Sequence, residues 1–152
     1  MNFDEIFICN TDTVCGIGGP VNQTTLETLY FLKKRNKNKK IMIVVGSIEQ
    51  AQKFQQWNNE ATQWANKYWP GPYSIVVNNQ GFRMPKNKEL CNFLIKNGPM
   101  YLTSANISGK TPINLNNANE IFPLVKKIYH FRGKSSNQAS KIYSLDENKW
   151  IR

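Results

Sequence analysis

Four short segments of this chain concentrate hydroxyl, amide and cationic side chains. They are Thr11–Gly16 (TDTVCG), Leu32–Arg35 (LKKR), Trp69–Pro72 (WPGP) and Thr103–Gly109 (TSANISG). Without a neighbouring general base, side chains of these types bind and neutralise anions and do not form covalent intermediates. His130 is the single histidine, the acids are scattered and no ligand cluster is visible, which excludes nucleophilic triads, paired-carboxylate hydrolysis and zinc chemistry. A site of this kind works by positioning and charge stabilisation, as in phosphoryl and nucleotidyl transfer.

The charge balance also indicates an anionic partner. Twenty Lys and Arg against ten Asp and Glu give a net charge of +10 and a pI near 9.6. Phosphates, nucleotides and RNA are all compatible with this excess. Only four basic residues are arginines, namely Arg35, Arg83, Arg132 and Arg152. A chain that uses lysine almost everywhere places an arginine where a planar, bidentate donor is needed.

In their order and spacing the four segments resemble the YrdC-like family of threonylcarbamoyl-AMP synthases, which begin the threonylcarbamoyladenosine modification of tRNA. The resemblance runs from Asn10 to Arg152 and corresponds to a short single-domain form over residues 1–152. It implies a twisted mixed sheet around a basic central cavity. The implied reaction converts L-threonine, bicarbonate and ATP, with Mg²⁺, into threonylcarbamoyl-AMP and pyrophosphate. Downstream tRNA threonylcarbamoyl-transfer proteins are the implied partners, with tRNA or other RNA as a further candidate.

The resemblance also implies roles for individual residues. Lys33, Arg35 and Ser104 are the expected catalytic residues. The expected ATP-binding residues are Lys33, Arg35, Lys39, Asn106, Asn114 and Arg152. The expected threonine-binding residues are Thr11, Arg83, Ser104 and Ser140. No metal ligand is expected from the protein, and Trp69–Pro72 is interpreted as a structural turn. Asn10 and Asn36 stand where the family usually has prolines.

Two other functions remain open at this point. A non-catalytic RNA-binding module would use the same basic cavity, although no aromatic residue interrupts the basic run Lys33–Lys40. A phosphate-loop NTPase is suggested by Gly109-Lys110-Thr111. Against it, Ser104 stands where the first glycine of that loop belongs, and Pro112 follows where its helix should run.

The length and apolar content predict one soluble domain. With 152 residues and 40% hydrophobic residues the chain is long enough to bury a core. No apolar stretch approaches the roughly 20 residues of a membrane span, so we expect a cytoplasmic protein without a membrane partner. Cys9, Cys15 and Cys91 show no C-x-x-C spacing and are expected to be reduced.

The periodicity predicts helices and strands that interleave without a strict βαβ rhythm. This favours an α+β, three-layer fold with helices on the faces of a mixed sheet. The predicted strands are Glu5–Cys9, Ile41–Val45, Tyr73–Val77, Met100–Leu102, Ile128–Phe131, Lys141–Leu145 and Lys149–Ile151. The predicted helices begin at a Thr24–Glu27 capping box, at Ser47, at Asn59, at Lys88 and at Asn117, the last running to Lys127 with an irregularity at Pro123. The segment Asn10–Pro20 is predicted to be irregular because of its glycines.

Overall fold

A single nine-stranded sheet organises the chain, and the computed structural model describes residues 1–152. The strands are β1 (Phe7–Cys9), β2 (Gly16–Pro20), β3 (Met42–Val44), β4 (Tyr73–Val77), β5 (Gln80–Arg83), β6 (Met100–Ser104), β7 (Lys127–Tyr129), β8 (Lys141–Ser144) and β9 (Lys149–Trp150). Their order across the sheet is β7-β1-β2-β6-β3-β5-β4-β8-β9. Three neighbouring pairs are parallel, β1 with β7, β3 with β5 and β4 with β8, and the others are antiparallel. The predicted mixed sheet is confirmed.

Five helices flank this sheet, and asparagine or serine caps the first four. They are α1 (Gln23–Lys33), α2 (Ile48–Gln52), α3 (Asn59–Tyr68), α4 (Lys88–Asn97) and α5 (Ala118–Ile121), the last preceded by a 3₁₀ turn over Leu115–Asn117. The predicted cap at Ser47 is confirmed, since its side chain accepts from the Gln50 amide. The predicted cap at Thr24 is wrong. Asn22 caps α1 instead, accepting from the Thr25 amide at 2.8 Å. No helix is long and apolar enough to span a bilayer.

Successive side chains along each strand lie on opposite faces of the sheet, and helices cover these two faces to different extents. On one face Ile17 packs in a cluster with α1 and α5, while Ile43 and Phe82 pack in a cluster with α2 and α3. On the other face Val44 and Leu102 pack with residues of α4. Because α4 covers only part of this second face, a concave region stays open beside it. The cavity described below lies there.

Three predicted elements differ from the structure. The segment Asn10–Pro20 is not irregular throughout, because Gly16–Pro20 forms β2 and pairs with β6. Strand β5 was not predicted; it pairs with β4 across Asn78 and Asn79, which both have positive φ, an asparagine turn that suits a tight hairpin. The helix predicted to reach Lys127 ends at Ile121. Pro123 has no amide to continue it, and the chain enters β7 beside β1.

Gly18 lets the backbones of β2 and β6 approach closely. A β-carbon at Gly18 would stand 2.1 Å from the Tyr101 carbonyl oxygen, whereas one at Gly16 would meet only the Leu102 side chain, at 2.9 Å. A backbone carbonyl held in a central strand cannot move aside as a side chain can. The glycines that suggested a loop are therefore what allows this strand to pair.

We predict that Gly18→Ala lowers the free energy of unfolding by about 3 kcal/mol or more, because the added methyl group separates two paired strands. Gly16→Ala should cost much less, since Leu102 can change rotamer. Urea denaturation of both variants measures the difference. Equal losses would show that the approach of β2 to β6 is not the reason for glycine at this position.

Candidate functional site

A cavity of about 220 Å³ opens on the second face of the sheet. Seventeen residues line it, drawn from the turn after β1, the loop after α1, six neighbouring strands and the C-terminal segment. Its cations are Arg35, Lys40, Arg83 and Arg152, and its lining contains no Asp, Glu, His or aromatic residue. The other polar side chains are hydroxyls, namely those of Thr11, Thr13, Ser74, Thr103, Ser104 and Ser140. The sequence therefore converges on one cationic, hydroxyl-rich pocket.

Because of the way α1 ends, the side chains of Lys33 and Arg35 lie in different environments. Lys33 is the last helical residue, and Lys34 adopts a left-handed conformation with φ 52°. The Arg35 amide then turns back to donate to the Tyr30 carbonyl at 3.0 Å, which closes the helix end. As a result Lys33 points into the protein, Lys34 is exposed and Arg35 reaches the cavity.

Lys33 is almost fully buried, with 1% of its surface exposed, and it has no carboxylate partner within 4 Å. Its Nζ donates instead to neutral oxygens, at 2.6 Å to the Ser104 carbonyl, 3.0 Å to Thr103 Oγ1 and 3.1 Å to Asn106 Oδ1, with Ser104 Oγ at 3.3 Å. Burial, and secondly the charge of Arg35, lower the pKa of Lys33 to about 7. This value lies near neutral pH, well below the ordinary pKa of 10.5 for lysine.

Arg35 is fixed by backbone carbonyls of the loop that follows it. Its Nε donates to the Lys39 carbonyl at 3.3 Å and its Nη2 to the Lys40 carbonyl at 3.1 Å. Burial lowers the pKa of Arg35, and the nearby Tyr30 acts in the opposite direction. The guanidinium has no carboxylate partner, so its charge is available to an anion in the cavity.

The segment after β6 is held by side-chain amide and ammonium groups. Ser104 Oγ donates to Asn106 Oδ1 at 2.7 Å, and Asn106 Nδ2 donates to the Lys110 carbonyl at 2.7 Å. The Ser108 amide donates to the Lys33 carbonyl at 2.8 Å. Lys33 thus fastens this segment through both its side chain and its backbone. Ser104 lines the cavity, whereas Asn106 lies just behind it.

The turn between β1 and β2 brings Asp12 against Arg83. Arg83 is 5% exposed, and its Nη1 donates to both carboxylate oxygens of Asp12, at 2.9 and 3.0 Å, and to the Gly71 carbonyl at 3.0 Å. Its Nη2 donates to Thr13 Oγ1 at 3.0 Å. Thr11 Oγ1 donates to the Val14 carbonyl at 2.7 Å and closes the turn. Thr11 and Arg83 therefore line the cavity in fixed orientations.

The C-terminal segment closes the opposite wall. Ser140 Oγ lies 2.7 Å from Ser74 Oγ, and both serines are buried. Arg152 Nε donates to the Ser140 carbonyl at 2.8 Å. Burial lowers the pKa of Arg152 without removing its charge. Ser140, expected to bind threonine, and Arg152, expected to bind ATP, are thus in contact with each other.

Six of the predicted site residues line the cavity, and two others, Lys33 and Asn106, support it from behind. The six are Thr11, Arg35, Arg83, Ser104, Ser140 and Arg152. Lys39 and Asn114 have exposed side chains outside the lining, so their ATP-binding roles stay predictions.

Five polar residues of the site were given no individual role from the sequence. Lys40 lines the cavity where Lys39 was expected, Thr13, Ser74 and Thr103 belong to its wall, and Asp12 holds Arg83. Ser74 could have been recognised from the sequence, because a serine inside an otherwise apolar strand indicates a functional position. Nothing in a run of lysines distinguishes Lys40 from its neighbours.

Asn10 and Asn36, which stand where the family usually has prolines, anchor their loops through side-chain hydrogen bonds. Asn10 Nδ2 donates to the Phe131 carbonyl at 2.6 Å, and Asn10 Oδ1 accepts from the Phe131 amide at 2.7 Å. Asn36 Oδ1 accepts from the Asn38 amide at 2.9 Å. Hydrogen bonds thus hold both loops in place.

The residues do not build a resident metal site. No group of three or more His, Cys, Asp and Glu side chains converges, and no carboxylate lines the cavity. The phosphate-loop alternative also lacks its structural context. Residues 111–114, after Gly109-Lys110-Thr111, form no helix whose amides could hold a phosphate.

Comparisons with known proteins give one consistent family. The family model described as Sua5_yciO_yrdC, Telomere recombination, matches residues 1–151. The uncharacterized protein MG259 of Mycoplasma genitalium is 30% identical over 151 residues, covering 95% of this chain and 31% of that protein. The putative threonylcarbamoyl-AMP synthase of Methanocaldococcus jannaschii is 27% identical over 162 residues, covering 97% of this chain and 77% of that protein.

A solved structure shows the same fold. The crystal structure of P. abyssi Sua5 complexed with L-threonine has a TM-score of 0.79 and 24% identity, covering 93% of this chain and 47% of that chain. The present chain therefore spans about a third of MG259 and about half of Sua5. The predicted twisted mixed sheet with flanking helices agrees with this neighbour.

The buried ammonium of Lys33 predicts a pH dependence of stability. In the unfolded chain Lys33 keeps its ordinary pKa of 10.5, so between about pH 7 and pH 10.5 the unfolded state binds more protons than the folded state. The free energy of unfolding should therefore rise with pH in this window, by up to about 1.4 kcal/mol per unit from this group. Below pH 7 both states are protonated and Lys33 contributes no slope.

Urea denaturation of the wild type, Lys33→Met and Lys37→Met between pH 6 and 10 measures this contribution. In Lys33→Met the free energy of unfolding should lack the rise with pH that Lys33 contributes. In Lys37→Met, which changes an exposed lysine, it should follow the pH dependence of the wild type. Parallel curves for all three proteins would contradict the depressed pKa.

Proposed function

Because the chain belongs to the Sua5/YciO/YrdC family, we propose that it is a threonylcarbamoyl-AMP synthase. The proposed reaction joins L-threonine, bicarbonate and ATP into threonylcarbamoyl-AMP and releases pyrophosphate. Relatives with this name, among them the Methanocaldococcus jannaschii protein, support the proposal. The Sua5 complex with L-threonine supports threonine as the amino-acid substrate.

The observation that carries the proposal is the charge of the cavity. Four cations line it, no carboxylate does, and the only carboxylate paired with any of them is that of Asp12. Uncompensated cations in a partly enclosed site repel one another and are stabilised by a polyanion. ATP supplies such a polyanion, with Mg²⁺ as its counter-ion, and no residue of this chain is assigned to the metal.

The lining of the cavity offers groups that suit both parts of the reaction. A carbamate oxygen that attacks the α-phosphate adds charge to a phosphoryl group that must be neutralised in the transition state. Arg35 and Arg152, which lack carboxylate partners, are assigned to the phosphates. Thr11, Ser104 and Ser140 offer hydroxyls to threonine. Arg83 would receive the threonine carboxylate through its Nε, which has no protein partner.

The alternative of an RNA-binding module receives less support from the site. Single-stranded nucleic acid is bound by basic grooves combined with aromatic side chains on which bases stack. The cavity lining has cations but no aromatic residue. An RNA ligand would also bind with steep salt dependence and without regard to threonine.

We predict that pyrophosphate release from ATP requires both threonine and bicarbonate, since the nucleophile is the carbamate formed from the two. Incubation with ATP, Mg²⁺, bicarbonate and L-threonine, followed by mass spectrometry of the adenylate, tests this directly. Together ATP and threonine should raise the melting temperature more than either alone. Hydrolysis of ATP to ADP that is indifferent to threonine would contradict the proposal.

We predict that Arg35→Lys lowers activity tenfold or more, although the net charge is unchanged. Lysine cannot hold the Lys39 and Lys40 carbonyls through two nitrogens while facing phosphate, and a lost charge-assisted contact costs about 1.5–3 kcal/mol. Steady-state kinetics measure the effect, with thermal melts to verify folding. Lys37→Arg, at an exposed position of the same basic run, is the matched control and should be nearly neutral. If both charge-preserving changes behave alike, the basic run has only a general electrostatic role.

A further inference from the structure

The proposed reaction requires a proton acceptor. Free threonine carries an ammonium group at neutral pH, and its nitrogen attacks the bicarbonate carbon only after losing a proton. The acceptor must lie within reach of the cavity and hold a free electron pair near pH 7. This requirement rests on the proposed function.

The cavity wall contains none of the usual acceptors. No Asp, Glu, His, Cys or Tyr lines it, and Asp12, the carboxylate nearest to a lining cation, is occupied by Arg83 and the Lys86 amide. His130 is exposed and outside the lining. The remaining candidates are groups that lie one hydrogen bond behind the wall.

Lys33 is such a group. Its Nζ lies 3.3 Å from the hydroxyl of Ser104, which lines the cavity, and no carboxylate within 4 Å holds it in its charged form. Three further oxygens surround the same nitrogen, those of the Ser104 carbonyl, Thr103 Oγ1 and Asn106 Oδ1. A neutral amine has two N–H donors and one electron pair, so two of these oxygens can accept while a hydroxyl donates to the nitrogen.

We propose that neutral Lys33 takes up, through the Ser104 hydroxyl, the proton that threonine releases as its nitrogen bonds to the bicarbonate carbon. The N–C bond forms, one C–O bond of bicarbonate breaks, and the departing oxygen leaves as water. Threonine ammonium, bicarbonate and the neutral lysine become threonine carbamate, water and a lysine ammonium. Atoms and charge balance without another reactant.

The hydrogen bonds around Ser104 permit this transfer. With Lys33 charged, Ser104 Oγ accepts from Lys33 and donates to Asn106 Oδ1 at 2.7 Å. With Lys33 neutral, the same hydroxyl can donate to Nζ while it accepts from the substrate. Rotation of one hydroxyl proton thus connects the cavity to the buried nitrogen.

The surroundings of Lys33 favour its neutral form before substrate binds. Burial and Arg35 lower its pKa to about 7. Burial raises the pKa of Cys15, on the adjoining turn before β2, to about 11 and that of Tyr101 on β6 above its usual value, so neither supplies a negative charge. ATP reverses this balance, because its phosphates favour a charged Lys33. Proton transfer from threonine and binding of the triphosphate therefore reinforce each other.

The pH dependence of kcat tests the transfer, with threonylcarbamoyl-AMP as the measured product. The wild type should lose activity below about pH 7 as Lys33 becomes protonated. This loss adds to the one caused by protonation of the threonine amino group. Lys33→Arg keeps the charge but cannot release a proton, and Ser104→Ala removes the connecting hydroxyl. In both variants kcat should fall about 100-fold or more. The acidic limb of the pH profile, meaning the loss of kcat below about pH 7 that protonation of Lys33 causes, should also be absent from both. Because an arginine at a buried position can prevent folding, Ser104→Ala carries the test by itself if Lys33→Arg is unstable.

Thr103→Val is the matched control, since it also removes one hydroxyl bonded to Lys33 Nζ but leaves Ser104 in place. It should retain the acidic limb. NMR of protein labelled with ¹³C at lysine Cε gives a second measurement, in which one lysine should titrate near pH 7 and be missing from Lys33→Arg.

The outcomes separate the two proposals. A wild type that forms no threonine-dependent product overturns the proposed function and this inference with it. Product formation whose acidic limb persists in Ser104→Ala, or a Lys33 resonance that titrates above about pH 9, overturns only the inference.

Discussion

A buried lysine amine without a counter-ion connects the main parts of the site. Lys33 joins the end of α1 to the end of β6, and its backbone carbonyl also holds the segment that carries Asn106. Removing a charge from water is costly, and neutral oxygens compensate only in part. The helix must end where it does, with a left-handed residue after Lys33, for the nitrogen to reach those oxygens and for Arg35 to enter the cavity. The form of the site follows from this contact.

The cavity as a whole also contains positive charges that destabilise the free protein. Its four cations share one face of the sheet, and only Arg83 has a carboxylate partner. Acidic neighbours would stabilise the empty protein but would compete with an anionic substrate. The single Asp12–Arg83 pair fixes a wall and leaves Arg35 and Arg152 without carboxylates. A site of this kind gives up stability in the free state, which binding of the right anion restores.

The sheet makes room for the cavity through its small residues and its unequal cover. Helices α1, α2, α3 and α5 cover one face, while α4 alone packs against part of the other. Gly16 lines the open part, and Gly18 brings β2 close to β6, so the strand that ends at Ser104 is held near the turn that carries Thr11. The concave surface is thus a property of the packing and not of any single motif.

The sequence by itself determined which chemistry was possible and which local elements would form. One histidine, few acids and grouped Thr, Ser, Asn, Lys and Arg residues indicated an anion-binding site, and apolar periodicity located most strands and helices. Local hydrogen bonding and burial decide those features, so neighbouring residues suffice to predict them. Only the tertiary structure decided that Lys33 turns away from solvent while Arg35 enters the cavity, that Lys40 lines the cavity while Lys39 does not, and that Asp12 holds Arg83, 71 residues away. These outcomes depend on contacts between segments distant in the chain, and a glycine-rich stretch such as Gly16–Pro20 becomes a strand because β1 and β6 pair with it on either side.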